Sequence, residues 1–78
     1  MLSEPQNRIL EYLKDTGGVD VPTYEVGIRI YGKFFNSYKG QLKAAQKTLE
    51  ELHRLDLVVK NYSYTHNCDV WTLKDNNN

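Results

Sequence analysis

At 78 residues the chain has room for one hydrophobic core and no second domain, and such a domain buries only about 60% of the surface its unfolded form exposes. Hydrophobic residues make up 40% and charged residues 26%, which excludes a wholly disordered chain, and no apolar run approaches the roughly 20 residues needed to cross a bilayer. Ten basic and ten acidic side chains cancel, but unevenly: two bases face five acids in residues 1–25, five bases and no acid fill residues 26–49, and three bases face five acids in residues 50–78.

Read along the chain, one domain is expected over residues 1–78, with an ordered core from about 3 to 74. Met1 to Gln6 has neither the basic start nor the apolar stretch of a signal peptide, so the expected location is the cytoplasm. Ser3 and Gln6 have the spacing of a capping box, and Pro5 is tolerated in a first turn. Ile9, Leu10 and Leu13 then recur at helical spacing, and Gly17-Gly18 stops this first helix. Val19-Asp20-Val21 is long enough only to add a short third strand to a small sheet. Pro22-Thr23 ends it, with Thr23 as the cap of a second helix that carries Val26 and Ile30 inward. Gly27 falls where a close approach between helices requires a very small residue.

Lys33-Phe34-Phe35 makes a connecting turn, and Asn36 or Ser37 caps a third helix. Tyr38, Leu42, Ala45, Leu49 and Leu52 form its apolar stripe, while Lys39, Lys43 and Lys47 fall on another face with Gln46 and Arg54. After Leu55-Asp56 the pattern alternates. Leu57, Val59, Trp71 and Leu73 are expected on the inner side of a hairpin, and Val58, Lys60, Tyr62, Val70 and Thr72 on the outer side. Tyr62 to Cys68 forms the loop between the strands, and residues 75–78 form a frayed tail.

The order helix, short strand, helix, helix, hairpin resembles the winged helix-turn-helix superfamily. The resemblance rests on Thr23-Tyr24-Glu25-Val26-Gly27-Ile28-Arg29-Ile30, similar to the family's second helix. It rests also on Leu49-Glu50-Glu51-Leu52-His53-Arg54-Leu55-Asp56-Leu57-Val58, similar to the end of its recognition helix and the entry to the wing. It spans roughly Ser3 to Leu73. Two departures stand out: Asp56 replaces the usual glycine, and the link from Gly32 to Asn36 is longer than the tight turn of the simplest members. The resemblance implies an α+β winged helix-turn-helix fold of three helices, a C-terminal β-hairpin wing and a short third strand. It also implies a transcriptional regulator that binds double-stranded DNA.

On that reading the third helix enters the major groove, and its lysines trace a line about 12 Å long at 1.5 Å of rise per residue. The candidate DNA-binding residues are Lys33, Asn36, Ser37, Lys39, Lys43, Gln46 and Lys47, with Tyr64 and His66 from the wing tip. Asn36 and Ser37 stand at a helix start that favours phosphate, and Gln46 is suited to adenine. A homodimer is expected from the small size and the aromatic residues. A viral or plasmid source is expected, since compact genomes favour minimal regulators.

Cys68 is alone, so no internal disulfide is available, and one Cys with two His falls short of the four ligands of a structural zinc site. No phosphate-binding loop, nucleophile triad or paired carboxylate points to an enzyme, and no cofactor is expected. A second reading keeps the fold and drops the DNA. Zero net charge, six tyrosines and a lysine-poor wing then mark a protein-interaction module.

Overall fold

The computed structural model describes residues 1–74; the expected frayed tail, residues 75–78, lies outside them. Six elements follow one another: α1 (Glu4–Asp15), β1 (Val21–Pro22), α2 (Thr23–Tyr31), α3 (Tyr38–Arg54), β2 (Val58–Ser63) and β3 (Cys68–Leu73). The strands form one antiparallel sheet in the order β1-β3-β2. Three helices with a C-terminal hairpin and a short third strand make this an α+β chain with the layout of a winged helix. Among the described residues no helix is long and apolar enough to cross a membrane.

The helix ends follow from local chemistry. Ser3 and Gln6 close a reciprocal capping box on α1, and Gly17 and Gly18 leave it at φ +73° and +89°, a region open to glycine. Ser37 caps α3, its hydroxyl accepting from the Gly40 amide at 3.0 Å. At the other end Asp56 takes φ +64°. The Asp56 amide donates to the His53 carbonyl and the Leu57 amide to the Leu52 carbonyl, both at 3.0 Å, which is a Schellman closure with aspartate in the usual glycine place. Thr23 does not cap α2. Pro22 occupies the cap position without a side-chain bond, and the Thr23 hydroxyl turns inward to accept from Trp71 Nε1 at 2.7 Å.

The core is built from Ile9, Leu13, Val21, Val26, Ile30, Tyr31, Ala45, Leu49, Leu52, Val58 and Trp71. α2 and α3 meet closely at Gly27, where a Cβ would sit 3.0 Å from the Gln41 carbonyl oxygen. Only glycine leaves that backbone-to-backbone approach unstrained. Beside it the Tyr31 hydroxyl meets the Thr48 hydroxyl at 2.5 Å, which satisfies both polar groups inside the interface.

Three further expectations need correction. Tyr38 does not join the core stripe; it is 55% exposed at the first turn of α3, and the buried row begins with Ala45. The third strand lies further along than expected, since Val21 and Pro22 pair with Trp71 and Val70 while Val19 is left exposed. Proline fits there because β1 is an edge strand. The hairpin's first strand is also out of phase with its expected inner row. Val58 stands opposite Leu73 and Lys60 opposite Trp71, so Val58, Lys60 and Tyr62 share a face with Leu73, Trp71 and Asp69. The cause is the helix closure: Leu57 belongs to the Schellman turn, and alternation starts one residue later.

Candidate nucleic-acid interface

α3 buries Ala45, Thr48, Leu49 and Leu52 on one side. At about 100° per residue, Lys43, Lys47 and Arg54 lie nearly opposite that buried centre, with Lys39 beside them. All four side chains are exposed, and none forms an ion pair among the described residues. The two acids of α3 are drawn elsewhere. Glu51 accepts from Gln6 Nε2 at 3.1 Å, and Glu50 accepts from Lys60 Nζ at 2.8 Å. Other carboxylates near the sheet are likewise engaged, Asp56 by Lys74 and Asp69 by Gln46 and Lys60. A ridge of cations therefore faces solvent, and among the described residues no carboxylate comes within ion-pair distance of it.

The start of α3 adds to that surface. Its first turn holds no acid, and the Gln41 side chain donates to the Phe35 carbonyl at 3.0 Å, which ties the linker to the helix. The linker runs from Gly32 to Ser37, one residue beyond the expected Asn36, because the helix itself opens only at Tyr38. Lys33 and Asn36 are exposed within it. The Ser37 hydroxyl accepts the capping bond, which leaves its own O–H as a donor.

Gln46 sits differently from its expected role. Its Nε2 donates to Glu50 at 2.9 Å and to Asp69 at 3.2 Å, so the amide hydrogen that would donate to adenine N7 already has a partner. With Lys60 these residues form a polar network joining α3 to the hairpin. Lys60 also lies 5.8 Å from the centroid of the Trp71 ring. The Lys60 hydrogen bond holds the Glu50 carboxyl below its ordinary range, and the same bond pushes Lys60 above its own. For Glu50 the depressed folded value means its contribution is full above the ordinary glutamate value and fades as pH falls through the lower one. For Lys60 the raised value means the contribution is lost only as pH climbs past the ordinary lysine range. On thermal melts the wild type is expected to lose a few degrees more than Glu50→Gln between about pH 6 and pH 3, the effect being small because the pair is partly solvated. Equal acid sensitivity of the two proteins would remove the pair from the hairpin's support.

The two wing-tip candidates part company. His66 leans back toward α2, its Nδ1 3.0 Å from the Tyr24 hydroxyl, while Tyr64 projects outward at 90% exposure. The strands extend to Ser63 and from Cys68, which shortens the expected loop to Tyr64–Asn67. Sequence reasoning singled out Tyr64 but missed Tyr62, whose ring lies 5.0 Å from that of Tyr64 in a T-shaped arrangement. The signal was present in the spacing, because side chains two residues apart on an extended chain point to the same side. Elsewhere an open cleft of about 290 Å³ lies between the start of α1 and the turn after α2, lined by Pro5, Ile30, Tyr31, Phe34 and Phe35 together with the charged Glu4 and Arg8. Among the described residues no group of three His, Cys, Asp or Glu is placed to hold a metal ion. Compared with protein-family models, curated proteins and solved structures, the chain matches none.

Proposed function

We propose that the chain is a DNA-binding domain of a transcriptional regulator, in which α3 lies in the major groove and the hairpin rests on the flanking strand. The observation that carries this is the solvent-facing row of Lys39, Lys43 and Lys47, unpaired among the described residues and directed away from the core. Lysine is a point charge suited to phosphate, and successive turns of a helix present it along a groove wall. The acids that bring net charge to zero do not pair with this row, since among the described residues none lies within ion-pair distance of Lys39, Lys43 or Lys47.

Titration of a labelled random duplex at about 50 mM and then 200 mM salt tests the proposal. Neutralising about three to five phosphates predicts a slope of log K against log salt of roughly −3 to −5, through counterion release. Absence of binding at the lower salt, or an affinity indifferent to salt, would overturn it.

A second reading is favoured by one observation. Phe34 is 68% exposed at the rim of the mostly apolar cleft, where an interaction module, or a second copy in a homodimer, would dock. Phe34→Ser with undiminished duplex binding leaves the first reading in place; failure of that variant to associate with a protein partner, without any DNA binding by the wild type, favours the second.

A further inference from the structure

We propose that the tyrosine pair of the wing, Tyr62 and Tyr64, stacks on an unpaired nucleobase, so that the preferred ligand is a duplex carrying a short single-stranded extension. This rests on the DNA-binding reading above and names the kind of DNA. Three bonds hold the tip in shape. The Tyr62 hydroxyl donates to Asn67 Oδ1 at 2.8 Å, the His66 amide donates to the Ser63 hydroxyl at 3.1 Å, and the His66 ring meets the Tyr24 hydroxyl at 3.0 Å. Asn67 closes the turn at φ +57°. Tyr64 then packs on an already fixed Tyr62, with the rings inclined at 72°. Tyr62 is thus set in place before any ligand arrives, with Tyr64 beside it, which lowers the entropic cost of binding.

Their position ties them to the cationic ridge. Tyr62 stands opposite Asp69 and on the same strand face as Lys60, and those two residues reach Gln46 and Glu50 of α3. The tyrosines therefore continue, toward the tip, the side of the hairpin that is turned to α3. The hairpin offers little to phosphate. Lys60 is its one lysine or arginine between Leu57 and Leu73, and Glu50 and Asp69 hold it. Entry of such a tip into an intact minor groove would leave the negative potential there unmatched. Bases within a duplex are already stacked on both faces, whereas an unpaired base has a free face for an aromatic ring.

Fluorescence anisotropy with a blunt duplex and the same duplex bearing a short single-stranded extension tests this. The extension is expected to tighten wild-type binding about tenfold. Tyr64→Ala should erase the difference in affinity between the two DNAs, and Tyr64→Phe should retain it. A 2-aminopurine in the extension should change its emission on binding wild type and not on binding Tyr64→Ala. Equal wild-type affinity for both DNAs, or a preference surviving in Tyr64→Ala, overturns the proposal and leaves the α3 reading standing. Failure to bind either DNA overturns both. Tyr64 is almost wholly exposed, so its replacement leaves the fold intact, which circular dichroism verifies.

Discussion

Replacing Lys39, Lys43 and Lys47 together by glutamate is expected to abolish duplex binding at 100 mM salt while the far-ultraviolet spectrum stays that of the wild type. The size of the effect follows from counterion release. Each phosphate that lysine no longer neutralises takes away close to one unit of slope in log K against log salt. Three such phosphates weaken binding by roughly a hundredfold to a thousandfold, and reversed charges add repulsion. The fold should survive, because these side chains are exposed and make no ion pair among the described residues. Glutamate near the start of α3 is favoured by the helix dipole, whereas at position 47 it meets Glu50 and Glu51 at unfavourable spacings. The triple replacement by glutamine separates these effects. It should lower the salt slope by about three without the added repulsion. A glutamate variant that binds duplex as the wild type does would remove α3 from the interface.

The parts of this fold legible in the sequence are those set by residues close together in the chain. The capping box at Ser3, the glycine stop after α1 and Ser37, one of the two caps expected for α3, each depend on a few neighbouring residues, and each forms. Gly27 was legible for a related reason, since a glycine among helix formers has few explanations other than close approach. What stayed hidden depends on partners far away in sequence. Thr23 looks like a cap from its neighbours, and only Trp71, brought in by sheet pairing, draws its hydroxyl inward. Alternation shows that a hairpin exists, but its phase depended on where the closure of α3 released the chain. The lysine row was readable from helical spacing alone. The engagement of Gln46 by Asp69 and the retreat of His66 to Tyr24 required the hairpin to be folded onto its neighbours.

Trp71 is where that folding is fixed, and Trp71→Ala is expected to lower the melting temperature by about 12–40 °C. The indole is fully buried. It lies on β3 between the β1 partner Val21 and the β2 partner Lys60, and its ring meets His53 of α3 edge-on at 6.3 Å. Removing such a side chain from a core costs about 3–5 kcal/mol, against a stability of roughly 5–15 kcal/mol for small domains, and this chain is short. The polar half of the interaction can be measured separately. Thr23 Oγ1 accepts from Trp71 Nε1 at 2.7 Å and donates to the Asp69 carbonyl at 3.1 Å, so one hydroxyl joins the start of α2 to β3 twice. Thr23→Val keeps the volume but leaves a buried indole N–H and a carbonyl unpaired, a cost of about 1–3 kcal/mol that should lower the melting temperature by about 4–20 °C. Trp71→Phe removes the donor and some volume, and in the double variant the two losses should fall short of additive, because each single change already breaks the same bond. Additive losses would mean that the bond contributes nothing to the join. A Thr23→Val protein melting as the wild type does would show that α2 is held to the sheet by apolar packing alone.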